Sequence, residues 1–135
     1  PTPIPADVVR NHRSNLLAII NTATAPRGPL STLQQYWQDV ETAGTTLGCR
    51  QATPPLPAPY TAIEPEVAAA YPELQQAAQE INDIGLQLLT TGWAAFTNAC
   101  AQGTLSQQVG TGIITVQTIR GAFDSAQVRL TGLEF

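Results

Sequence analysis

At 135 residues the chain is the size of one domain that can close a single hydrophobic core without metals or many disulfides. Charged residues make up only 12% of it, the formal net charge is −4, and the six basic residues are scattered arginines. With neither a basic stripe for a phosphate backbone nor a polybasic cluster for an anionic membrane, nucleic acid is not an expected partner.

The chain contains no methionine, so residue 1 is read as following a removed segment. Pro1-Thr2-Pro3-Ile4-Pro5 has the composition of a tether between a signal peptide or lipid anchor and an exported domain. The expected division is a tether over residues 1–4 and one helical domain over 5–135.

A first helix is predicted from Pro5 to about Thr24, where Pro26 and Gly28 stop it. Proline suits the first turn and Asp7 complements the positive end of the helix dipole. Its apolar stripe runs through Val9, His12, Leu16, Ile19 and Ala23, broadened by Val8, Leu17 and Ile20. His12 is the only histidine. A general base needs an orienting partner, and Asp7, five residues earlier, does not share its helical face. His12 is therefore expected to be structural; a cleft and a neighbouring carboxylate would be needed to change that.

The second helix opens at Pro29 or at Ser31, which with Gln34 forms a capping-box pattern. Leu30, Leu33, Trp37, Val40, Gly44 and Leu47 follow at alternating three and four spacing. Residues 50–62 carry Pro54, Pro55, Pro57 and Pro59, which forbid helix and favour an extended polyproline-type path. A third helix starts at Pro65 or, after a break, at Pro72, with Val67, Tyr71, Leu74, Ala78, Ile81, Gly85, Leu88, Gly92, Ala95 and Ala99 in register. Gln102-Gly103 makes a turn. Leu105, Val109, Gly112, Val116, Ile119, Phe123, Ala126 and Leu130 then mark a fourth helix. Its stretch from Val109 to Ile119 is rich in β-branched residues, which favour strand. A lone strand would leave its backbone groups unpaired, so helix is the expected outcome.

Cys49 and Cys100 form neither a CxxC nor a haem-attachment pattern, and a metal site is disfavoured. In an exported domain the pair is expected to form one disulfide, closing a loop of about 50 residues and stabilising the fold by about 3–4 kcal/mol. The two cysteines must then lie at the same end of the molecule, so helices two and three run parallel and the Pro-rich segment returns along their length. The expected fold class is thus all-α: a four-helix bundle with a long Pro-rich overhand connection between helices two and three.

Serine nucleophile elbows, phosphate-cradling loops and zinc spacings are absent, and one histidine excludes the Glu-x-x-His repeats of diiron bundles. No catalytic residue, cofactor or metal is expected. From Ile84 to Ile119 there is no charged residue, yet the stretch holds too many Gln, Thr and Asn side chains to span lipid. Ile84, Leu86, Leu89, Trp93 and Phe96 fall beside as well as on the main stripe of helix three, which implies either a second buried face or a helix that is simply central and touches the other three; Leu86, Leu89, Trp93 and Phe96, with Trp37, are the candidate interface or pocket residues. The expected function is a non-enzymatic, extracellular or periplasmic module for a protein partner or for self-association. The alternative is a small-molecule or sensory bundle with an apolar pocket.

Overall fold

The computed structural model describes residues 4–135, and all their regular structure is helical. Helix α1 spans Ala6–Thr24 and α2 spans Pro29–Ala43; α3 (Pro65–Ala70), α4 (Pro72–Gln79), α5 (Gln87–Gln102) and α6 (Leu105–Thr131) follow. A π-helical turn, Glu80–Leu86, joins α4 to α5 without interruption. The tether expected over 1–4 lies, except for Ile4, outside the described residues, and Ile4 packs against the core.

Local chemistry explains the boundaries. Pro5 is the N-cap of α1, not its first residue, and Asp7 pairs with Arg10 one turn on. The capping box expected at Ser31 does not form. Gly28 is the N-cap and Pro29 the first residue of α2, while the Ser31 hydroxyl donates to the Thr24 carbonyl and ties α2 back to α1. Gly44 also departs from expectation: it ends α2 at a φ of 76°, where its N–H donates to the Val40 carbonyl. Leu47, predicted on the apolar stripe, lies beyond that end and is 76% exposed.

The α4–α5 rod and α6 form a long antiparallel hairpin, closed at Gly103, which adopts a φ of 69°. At about 1.5 Å per residue the rod is about 46 Å long. Helices α1 and α2 share this length between them. Near the turn, the Trp93 indole donates to the Pro29 carbonyl and Trp37 meets Phe96 edge to face. Towards the other end, His12 reaches Asn82 through Tyr60, and Arg10 and Arg13 flank the Phe135 ring, which meets Tyr71. Both α2 and α5 run towards the Cys49–Cys100 disulfide, whose Cα atoms are 5.5 Å apart. The parallel course required of helices two and three is therefore present.

The core is continuous, from Val9, Leu16 and Ile20 on α1 through Leu30, Leu33 and Trp37 on α2 to Ile119, Phe123 and Leu130 on α6. On the rod the buried stripe follows Leu74, Ala78, Ile81 and Gly85 and then widens, with Leu86, Leu89, Trp93 and Phe96 buried beside Gly92 and Ala99 of the predicted stripe. Ala95 of the predicted stripe is exposed and Leu88 only partly buried. The wider winding of the π turn coincides with this widening. The β-branched part of α6 is helical because Val116 and Ile119 are buried in the core and the Thr115 and Thr118 hydroxyls bond to the carbonyls one turn back.

Two glycines let helices approach closely. A Cβ at Gly112 would meet the Trp37 ring, and one at Gly85 the Phe123 ring. At Gly121, on the outer face of α6, a Cβ would meet nothing. Gly112→Ala is therefore expected to destabilise the fold by about 1–3 kcal/mol through overpacking, and Gly121→Ala to stabilise it by about 0.5–1 kcal/mol through helix propensity. Urea unfolding of the two variants beside the parent checks the opposite signs.

Candidate functional site

All five residues singled out as interface or pocket are interior. Trp37, Leu86, Leu89, Trp93 and Phe96 are each at most 4% exposed. Trp37, Trp93 and Phe96 pack edge to face at 5.3–5.8 Å, with Tyr36 stacked on Phe96. The wide apolar face of helix three belongs to the core, as a central helix requires, while Ile84 is 42% exposed. Two clefts open beside this cluster, one of about 290 Å³ against Trp93 and Phe96 next to the disulfide and one of about 260 Å³ against Trp37, Ile113 and Val116.

Beside this cluster, a 3-10 turn over Leu47–Arg50 presents Cys49 to Cys100. Thr46 holds the turn: its hydroxyl oxygen accepts from the Gly48 N–H and donates to Asp39. Gly48 lies against the Tyr36 ring, where a Cβ would collide. Reduction of the disulfide, or Cys100→Ser, is expected to lower stability by about 3–4 kcal/mol, read as a shift of the urea midpoint with and without reductant.

The second cluster surrounds His12, which is 4% exposed. From residue 52 to residue 64 the chain has no regular structure and runs as a strap along the rod, with Leu56, Tyr60 and Ile63 packed on the core. The Asn82 side chain clamps the strap by accepting from the Tyr60 N–H at 2.9 Å and donating to the Tyr60 carbonyl at 2.8 Å. One side chain thus satisfies both backbone groups of a residue outside any ladder. His12 Nε2 lies 3.0 Å from Glu64 Oε2, and Nδ1 lies 2.6 Å from the Tyr60 hydroxyl. An ionised carboxylate only accepts, so Nε2–H donates to Glu64 and Nδ1 accepts from the Tyr60 O–H. The Tyr60 oxygen accepts in turn from Asn15 Nδ2 at 3.1 Å.

Sequence reasoning sought a partner for His12 on its own helix and found none. The partners come from the strap, 48 and 52 positions away, and no local spacing could have revealed them. A carboxylate does stand beside the histidine. Both ring nitrogens are nonetheless occupied by the fold, leaving neither free for a substrate. The hydrogen bond from His12 holds the Glu64 carboxyl below its usual range, reinforced by a backbone hydrogen bond and opposed by partial desolvation.

On the far side of Tyr60, a groove of about 310 Å³ lies between the strap and the rod, lined by Tyr60, Thr61, Gln75, Gln79, Asn82 and Asp83 among others. Arg129 of α6 reaches the neighbouring face of the rod, where it bonds Glu73, Gln76 and Glu80; the two carboxylates raise its pKa. Among the described residues no cluster of three or more His, Cys, Asp or Glu side chains is placed to hold a metal ion, and no helix is long and apolar enough to cross a membrane. No family model matches the chain, and no curated protein or solved structure is similar to it.

The Glu64 shift has a defined sign. A carboxylate with a lower pKa in the folded than in the unfolded state adds stability that is present above the unfolded value and is lost as pH falls through the folded value. Glu64→Gln is expected to flatten the fall in stability as pH drops below about 5, measured as urea midpoints across the acid range. Equal slopes in parent and variant would contradict the His12–Glu64 bond.

Proposed function

We propose that this chain is a non-enzymatic, extracytoplasmic helical module, a four-helix bundle in which the first two helices share the length of a long hairpin, and that it self-associates through the uncharged end of that hairpin. One observation carries the proposal. Ile84, Thr91, Ala94, Ala95 and Asn98 on the rod are exposed, as are Thr111, Ile114 and Thr118 on α6, and no charge falls among them from residue 84 to residue 119. Ile114 is 63% exposed. Solvent-facing helix surfaces ordinarily carry Lys and Glu, whereas depletion of charge marks the centre of an interface.

A second copy is the partner this surface suits best. In a two-fold interface each patch meets itself, and an uncharged patch does so without like-charge repulsion. The opposite end is charged, with Arg10, Arg13, Glu64, Glu73, Glu80 and Arg129 clustered around the strap and the end of α6. The disulfide supports an extracellular or periplasmic setting, where such bonds persist. The apolar-pocket alternative draws less support, since the two clefts beside Trp37, Trp93 and Phe96 are small and are lined as much by Gln, Thr and Glu as by apolar side chains.

Light scattering on size-fractionated, non-reduced protein tests the reading. A concentration-dependent dimer is expected, and Ala95→Glu with Ile114→Glu should return it to monomer without loss of helical circular dichroism. A parent that stays monomeric at every accessible concentration removes self-association. A bound mass on a single chain in native mass spectrometry would restore the pocket reading.

A further inference from the structure

The groove between the strap and the rod is separate from the uncharged end and does not depend on it. Gln75, Gln79 and Asp83 line it at intervals of four residues, opposite Tyr60 and Thr61. Asn82, in the same lining, is committed to the Tyr60 backbone through both of its polar atoms. No described hydrogen bond engages the side chains of Gln75, Gln79 or Asp83, so two amides and a carboxylate face the groove with their full donor and acceptor capacity.

We infer that this groove binds a neutral, hydroxyl-rich ligand of the saccharide class. The lining contains no arginine and includes a carboxylate, which disfavours phosphate, sulfate and carboxylate ligands. Ile63 and Ala78 are its only aliphatic members, too few for a lipid or an apolar cofactor. A cationic amine would find one exposed carboxylate, and an exposed ion pair contributes little. Hydroxyl groups both donate and accept, as side-chain amides do, so a sugar can satisfy the two amides and the carboxylate together.

Tyr60 gives the groove a fixed wall. Its hydroxyl is held by His12 and Asn15 and its backbone by Asn82, so the residue is ordered before any ligand arrives. His12 acts here as a positioning residue, fixing Tyr60 from behind without touching the ligand. The volume of about 310 Å³ lies at the lower end of small-molecule sites, appropriate to a short oligosaccharide held weakly.

The probes are maltotriose and the trimer of N-acetylglucosamine, each titrated into isotope-labelled, non-reduced protein and followed by nuclear magnetic resonance. At least one is expected to give saturable shifts of the Gln75 and Gln79 side-chain amides and the Tyr60 backbone amide, with a Kd on the order of 1 mM. The Gln75→Ala/Gln79→Ala double variant should bind roughly tenfold more weakly while its circular dichroism stays unchanged; both side chains lack protein partners, so loss of folding is not expected. Absence of saturable shifts with both sugars up to about 50 mM overturns the inference. So does undiminished binding in the double variant.

Discussion

The Cys49–Cys100 disulfide is the constraint around which the chain is arranged. It brings the exit of α2 to the end of α5, so that both helices run in one direction and the chain must travel back along the rod between them. Short loops join antiparallel neighbours; a parallel pair needs a long return. Here the return is extended and proline-rich, a conformation that covers about 3.1 Å per residue with little entropy left to lose. It also lies in the seam between α1 and the rod and contributes Leu56, Tyr60 and Ile63 to the packing there.

An extended segment outside a sheet has backbone groups to satisfy, and proline removes only the N–H of its own residue. At Tyr60 the Asn82 amide meets that need, and His12 and Glu64 complete a polar link between α1 and the strap. No described buried side-chain nitrogen or oxygen is left without a partner. A fully satisfied buried network specifies one arrangement of the strap, because any shift along the rod would strand several of these groups together. Order in the strap also gives the neighbouring groove a fixed wall.

The two ends of the molecule differ in chemistry. Near Phe135 the surface carries carboxylates and guanidinium groups paired across elements, while on α5 and α6 near Gly103 it presents amides, hydroxyls and small side chains, with Asp39, Glu41 and Arg50 confined to α2 and the turn that follows it. In each case the core beneath is aliphatic and aromatic and closely packed, with Trp37 and Phe123 seated on Gly112 and Gly85. The difference therefore does not arise from stability requirements of the core. The proposed interface draws its support from that contrast.

The helices of α1, α2 and α6 and the strap were legible from spacing and from proline and glycine, because these act through local backbone chemistry. The fourth helix was legible despite its β-branched run, since no partner strand existed for it. The disulfide followed from two cysteines and their place at helix ends. What spacing could not show was the π turn at Glu80–Leu86, which has no local signature in composition. The same limit applies to His12: its type and apolar setting were visible, but its partners lie on a segment 48 to 52 residues away and meet it only once the strap is in place. The sequence by itself thus determined the elements and the bond that ties them, because propensity, breakers and cysteine position act locally. Tertiary structure alone decided which apolar residues became core and which polar ones lined a groove, because burial depends on what the rest of the chain brings alongside.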